Sequence, residues 1–373
     1  MPSSTARRSS ACLCALQLIG VTTAVAQVRP DDSAVRARRL ARQLELPEQR
    51  LVAARELVGL GSAAAQPLRS MLGDPRPDVV AAALWVCAGI DGGDALAADI
   101  EPLLHSQEAA TALAAMRTLG LLGASGRTIV ADYQAGAVLA IEPDGTSNKL
   151  FEAKMAMSCV RLPDGHLLVA AYGDDRIVEL DGSGREVWTF AGVSSPSHAQ
   201  RLPNGNTLIA DSANTRAIEV TPAGAIVWQY ADDVRPIDVE RLGNGNTLIG
   251  SFNASGAIEV DPKGLVVWRF ADGNVRDVDR LVDGTTLLVL TDQQRVVVVD
   301  RDGKELRQWK VGFAANEAEL LPDGNLLVAG EGTVAELDQG GATVWQQALK
   351  YAGHGFRCGR RAPTAPAAAG RDH

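Results

Sequence analysis

Ser158, His198, Asp238, Asp277 and Glu317 each stand three residues before an Arg-Leu pair or its Leu-Leu equivalent, and His354 holds the corresponding place near the end of the chain. A histidine beside a carboxylate can exchange protons near neutrality. Asp238, Asp277 and Glu317 together could attract a hard cation such as calcium, which prefers oxygen ligands. Arg235 and Arg276, three and one residue before Asp238 and Asp277, either bind an anion or neutralise those acids. No Ser-His-Asp pattern, HExxH, phosphate-binding loop or dinucleotide fingerprint accompanies them. A polar ring of this kind can also be the wet lining of a channel that holds no dedicated ligand.

These positions are brought together only if the chain repeats as a closed structure. The turn glycines Gly165, Gly205, Gly245, Gly284 and Gly324 follow one another at 40, 40, 39 and 40 residues, a period that makes one supersecondary unit per repeat. Each unit alternates apolar and polar residues over short spans, as strands do, and ends near Trp188, Trp228, Trp268, Trp309 or Trp345. Four short strands per unit match one propeller blade, with the tryptophans packing between outer strands. A weaker copy begins at Gly126, with Phe151 in the tryptophan place, and Tyr351 to Cys358 reads as the first strand it lacks. The expectation is a six-bladed β-propeller over 123–358, closed by that C-terminal strand. In it the six polar positions line the axis.

Residues 34–122 are different in kind, rich in alanine and leucine, with glycines that suit helix ends. They form roughly two and a half helical pairs, short for a free-standing solenoid, so one end is expected to dock on the propeller through residues such as Trp85. The expected fold class is therefore mixed and two-domain: a short N-terminal α-helical solenoid followed by an all-β propeller.

Arg7 and Arg8, the apolar run Ala11 to Ala26 and the small-x-small end Ala24-Val25-Ala26 read as an export peptide over 1–26, placing the protein in the periplasm or outside the cell. Residues 359–373 read as a disordered tail. The net charge of -9 argues against nucleic acid as a partner, and no later apolar run is long enough for an integral membrane segment. Cys87, Cys159 and Cys358 form no metal-ligand spacing and read as buried thiols. Asn253-Ala254-Ser255 is a weak match to a glycosylation acceptor.

The phrase made by His198, Arg201-Leu202-Pro203-Asn204-Gly205-Asn206-Thr207-Leu208-Ile209 and Ile226-Val227-Trp228 resembles the repeat of bacterial arylsulfotransferase-type propellers and overlaps the NHL and quinoprotein-like groups. The helical part resembles HEAT repeats. The arylsulfotransferase resemblance implies an exported six-bladed protein that moves sulfate between phenols through an axial histidine, matched here by His198 with His354 second. Asp238, Asp277 and Glu317 would repel an anionic sulfate ester, and no residue set secures a quinone. The leading expectation is thus an exported, non-catalytic binding or scaffold protein for a protein or small-molecule ligand. The alternative is a propeller enzyme, arylsulfotransferase-like or metal-dependent and lactonase-like, with its site in the central channel.

Overall fold

The computed structural model describes residues 30–122, 126–232, 234–252 and 256–358. The expected export peptide, the Asn253 sequon and the C-terminal tail lie outside the described residues. The charged start of the helical part is itself a helix, Pro30–Gln43, which buries Ala37, Leu40 and Ala41. Helices Arg50–Leu60, Ala65–Met71, Pro77–Gly89 and Ala109–Leu121 follow. Between the last two of these, the chain forms the 3-10 turn Gly93–Leu96, the single α-turn Ala97–Ile100 and a second 3-10 turn, Glu101–His105. Pro102 contributes to this, since it has no N–H to give a helical bond, while Glu101 before it keeps helical φ and ψ of -50° and -43°.

Small residues let this layer sit close on the propeller. A Cβ on Gly120 would lie 2.3 Å from the Arg161 carbonyl oxygen, and one on Gly243 would lie 2.3 Å from the Ala110 Cβ. Arg161 Nη1 donates to the carbonyls of Gly120 and Leu122, each at 2.8 Å. Buried Arg50 donates to the Val282 carbonyl at 2.7 Å and pairs with Asp78. Trp85 packs against both the helical core and the propeller cluster around Leu287 and Leu320, as its size suggested.

Four antiparallel sheets have four strands each, and their inner strands are Ala156–Arg161, Pro196–Arg201, Pro236–Arg241 and Val275–Arg280. The fifth has six strands, in the order Ala315–Leu320, Leu326–Leu337, Thr343–Cys358, Arg127–Asp132, Ala137–Ile141 and Ser147–Glu152. The expectation of six blades is therefore corrected: the propeller has five. The last repeat has no sheet of its own, because Thr343–Cys358 pairs with Leu326–Leu337 over its first part and with Arg127–Asp132 over its second. Earlier repeats separate their second and third strands by a turn, such as Ser212 to Thr215, whereas the last runs through Gly332 as one continuous strand. Inner strands contact their neighbours in chain order, and Thr343–Cys358 touches both Ala315–Leu320 and Ala156–Arg161, so the ring closes.

The repeated residues explain one another. Gly165, Gly205, Gly245, Gly284 and Gly324 have φ of 86°, 83°, 88°, 87° and 86°. Asn204 and Asn244 do not share that conformation; Asn204 Oδ1 instead accepts the Asn206 N–H at 3.0 Å, so only the glycine supplies the left-handed residue of a bulged hairpin. Trp188, Trp228, Trp268 and Trp309 donate through Nε1 to a carbonyl of the neighbouring repeat, at Pro222, Pro262, Arg301 and Asp338. Arg201, Arg241 and Arg280 lie over Trp188, Trp228 and Trp268, and each also pairs with a glutamate of the preceding repeat, Glu179, Glu219 or Glu259. Phe151, in the tryptophan place of the first copy, pairs with Val138 and packs on the Ile129 cluster. Trp345 packs with the Val130 and Leu327 cluster, where the first and last repeats share their sheet.

Candidate functional site in the axial chamber

Strand alternation sends every second residue of an inner strand toward the axis. In the ladders, Ser158, His198, Asp238 and Glu317 stand opposite Ala170, Ala210, Gly250 and Ala329, so they share one register position. Asp277 lies in the bulge of its own strand between Val275 and Val278. His198, Asp238, Asp277, Glu317 and His354 line a single chamber of about 540 Å³. Two residues further along the strands, Val160, Gln200, Glu240, Asp279 and Glu319 form a second tier of the same chamber. Alternation alone points to that tier, although the sequence reading named only the first. Arg117 could not be found that way, because it reaches in from the helix Ala109–Leu121 and lies 3.7 Å from Asp279 and 3.5 Å from Glu319.

The two histidines meet, with ring centroids 5.6 Å apart. His198 Nδ1 donates to Asp238 Oδ1 at 2.9 Å and to the Val239 carbonyl at 3.2 Å, which leaves Nε2 as the nitrogen able to meet a bound molecule. His354 Nε2 lies 2.6 Å from Glu317 Oε1, a contact that requires one proton between them. Their basicities are pushed apart. Burial opposes a charge on His198, but the Asp238 carboxylate outweighs it and raises the imidazole above its ordinary value. Burial, then the nearby His198 and Arg117, hold His354 well below it.

The acids are crowded. Burial, with Asp279 and Asp238 adding to it against the Arg280 N–H and Arg117, raises Glu240 to about 8. Burial, with Asp238 and Asp279, raises Asp277 well above the carboxylate range, and burial likewise raises Asp279 against the pull of Arg117. Although 46% of the Arg117 side chain can be reached by water, it is the guanidinium these acids share, and its own proton is held more tightly as a result despite burial.

Much of this lining also fastens one repeat to the next. The Val278 N–H donates to Asp238 at 3.2 Å and the Ala318 N–H to Asp277 at 2.9 Å. One tier down, the Arg241 N–H donates to Gln200 at 2.7 Å and the Arg280 N–H to Glu240 at 2.9 Å. A polar side chain at these places therefore satisfies a backbone donor across the junction, whatever else it does.

Arg235 and Arg276 do not neutralise Asp238 and Asp277. Both lie over the ring of Phe252, at 5.2 and 4.7 Å from its centroid. Ser158 is 3% exposed, and its hydroxyl finds no partner among the described residues.

The grouping that best suits a metal ion lies away from the axis. Asp164, His166 and Glu179 offer ligand atoms within 4.8 Å of one another and could coordinate an ion; among the described residues no other such group of three occurs, so Asp238, Asp277 and Glu317 do not form one. Nothing in an Asp-His-Glu set selects calcium, and its imidazole suits a transition metal better. His166 occupies the position held by Asn206 and Asn246 in later repeats, and its 2.7 Å bond to Glu179 matches their 2.6 Å bonds to Glu219 and Glu259. Cys87 and Cys159 are buried and form no disulfide among the described residues, and burial pushes the Cys87 thiol up to about 12, which makes it inert.

No protein-family model and no curated protein matches the chain. Among solved structures, a protein of unknown function from Bacteroides caccae is 18% identical, with a TM-score of 0.51 over 60% of this chain and 94% of that one. That likeness supports the propeller fold. Virginiamycin B lyase from Staphylococcus aureus, at 12% identity, has a TM-score of 0.48 over 61% of this chain and 82% of its own. A nidogen/laminin complex, also at 12%, has a TM-score of 0.49 over 61% of this chain and 96% of its own. None of them places the chain in the arylsulfotransferase, NHL or quinoprotein-like groups.

Proposed function

We propose that the axial chamber is the active site of an enzyme that carries out acid–base chemistry on a small neutral or cationic molecule, with His198 and His354 as the proton-exchanging pair. The observation that carries this reading is that two imidazoles 5.6 Å apart line one chamber, each held by its own carboxylate, Asp238 at 2.9 Å and Glu317 at 2.6 Å. Their surroundings push their basicities in opposite directions, which makes His198 the acid and His354 the base. His198, oriented by Asp238 through Nδ1, gives a proton from Nε2 to the leaving group; the Glu317–His354 pair takes one from the substrate or from water. Elimination and the hydrolysis of an ester or lactone both fit this proton traffic. Sulfuryl transfer fits poorly, because Asp238, Asp277, Glu317, Glu240, Asp279 and Glu319 face an anionic substrate, and among the described residues Arg117 is the arginine whose guanidinium pairs with them.

The test is turnover of a panel of neutral and cationic esters and lactones, run beside aryl sulfates. Turnover of the former that falls by about 10²–10⁴-fold in folded His198→Gln supports the proposal. Turnover that survives that change, or none with any member of the panel, rejects it. Rejection would favour a binding or scaffold protein, a reading supported by the backbone bonds that Asp238, Asp277, Gln200 and Glu240 make across the repeats. We place the enzyme in an exported compartment on the strength of Arg7-Arg8 and the run Ala11 to Ala26. The N-terminus of protein recovered from the natural host is then expected at Gln27, and an intact Met1 would overturn export.

A further inference from the structure

Among the described residues the helices cover one mouth of the propeller. They touch the C-terminal ends of the inner strands, where Arg161 meets Gly120 and Leu122 and where Gly243 meets Ala110. The N-terminal ends of those strands make the opposite mouth, and a second set of side chains gathers there. Arg235 immediately precedes the strand Pro236–Arg241, and Arg276 is the second residue of Val275–Arg280. Both guanidiniums lie over Phe252. Tyr133, which feels the Arg276 charge, has its ring 5.8 Å from that of Tyr172 and 5.6 Å from that of Tyr351. Tyr351 is held in place by donating its hydroxyl to Asn316 Oδ1 at 3.2 Å.

Arg307, over Trp309, donates to the Gln339 carbonyl, whereas the two arginines here share one ring and their side chains have no acceptor among the described residues. Arg201, Arg241 and Arg280 also lie over aromatic rings, but each has a glutamate partner. Neither Arg235 nor Arg276 has a carboxylate partner among the described residues, in a chain whose net charge is -9. The Arg276 Nε is buried without an acceptor, as are those of Arg127, Arg241 and Arg280, but among the described residues Arg276 has no carboxylate on its other nitrogens. A buried donor left unpaired is destabilising, so such a group marks a place where an acceptor is missing. Arg276 is near enough to Tyr133 to oppose the rise in that phenol's pKa, which burial and then Tyr172 and Tyr351 cause. Donors, positive charge and aromatic surface thus converge.

We propose that this mouth binds an aromatic carboxylate, with the carboxylate on Arg276 and Arg235 and the ring against Tyr133, Tyr172 and Tyr351. A guanidinium presents a planar pair of N–H donors that matches a carboxylate, and an aryl ring packs edge-to-face or offset on tyrosine. Arg276 contributes the most, because its Nε gains the acceptor it lacks. The site is separate from the axial chamber and does not depend on the chemistry assigned there.

Benzoate is the probe, titrated into the full protein and followed by ligand-observed NMR and calorimetry. Binding is expected for benzoate, weakened about tenfold or more in Arg276→Gln, less in Arg235→Gln, and unchanged in His198→Gln. Arg276→Lys keeps the charge but not the planar fork and should recover only part of the loss. Benzamide, which lacks the charge, and acetate, which lacks the ring, should each bind more weakly than benzoate. The proposal falls if benzoate does not bind, if Arg276→Gln binds it as well as the unchanged protein does while keeping the same thermal midpoint, or if His198→Gln abolishes the binding.

Discussion

The rim of each repeat junction and the lining of the axis are built by the same repeat, yet they treat their residues differently. At the rim one solution recurs: an asparagine bonded to a glutamate, the glutamate paired with the arginine of the next repeat, and that arginine over a tryptophan, as in Asn206, Glu219, Arg241 and Trp228 and again in Asn246, Glu259, Arg280 and Trp268. At the axis the register is shared but the residues change from Ser158 to His198, Asp238, Asp277, Glu317 and His354. Recurrence at fixed register is what packing demands of every junction alike. Variation at fixed register is what a site needs, because the parts of a site have different tasks.

The comparison breaks most readily at the rim. Glu259 is 2% exposed and holds both Arg280 and Asn246, so Glu259→Ala leaves a half-buried guanidinium unpaired and should cost about 3 kcal/mol in chemical denaturation. Trp228→Ala removes an indole that is only partly buried together with its bond to Pro262, and should cost about 2 kcal/mol by the same measurement. If either costs less than the axial change Asp277→Asn, the assignment of the rim to stability is wrong.

Changes at the axis should instead be read in pH dependence. Glu240 and Asp277 have folded values raised above their unfolded ones, so the folded state holds their protons more tightly. The stability they contribute is complete below about 4.5 and is lost as pH rises, for Glu240 through about 8. Denaturation midpoints of the unchanged protein should therefore fall across that window, and Glu240→Gln should flatten the slope. Arg117→Ala removes the cation that opposes these shifts, and should move the fall to higher pH and steepen it. A slope identical in all three proteins would contradict the crowding of acids described here.

The smallest effect is expected at His166. Because asparagine fills the equivalent place elsewhere, His166→Asn should change stability by no more than about 0.5 kcal/mol. If Asp164, His166 and Glu179 do hold an ion, zinc should raise the thermal midpoint of the unchanged protein and leave that of His166→Asn where it was.

The tier containing His198 and Asp238 was legible in the sequence because a repeat converts spacing into register, and register fixes which side chains face inward. The tryptophans and turn glycines were legible for the same reason. Arg117 was not, since its place depends on how a helix outside the repeat docks, a contact set by Gly120 and Gly243 with no periodic signal. The count of sheets was misjudged because Leu326–Leu337 and Thr343–Cys358 carry the repeat's residues but not its interruptions. Arg235 and Arg276 were recognised as charges near the axis; that they would leave Asp238 and Asp277 and share Phe252 instead follows from the strand pleat and the bulge between Pro236 and Asp238.

The shared sheet also sets an order of events during synthesis. Arg127–Asp132 is among the first strands to leave the ribosome, but its partner in Thr343–Cys358 is translated only after every other sheet has been made. Until then it presents an unsatisfied edge to the cell. The nascent chain must therefore be shielded or held unfolded over that interval, and the ring can lock only when its last strand arrives.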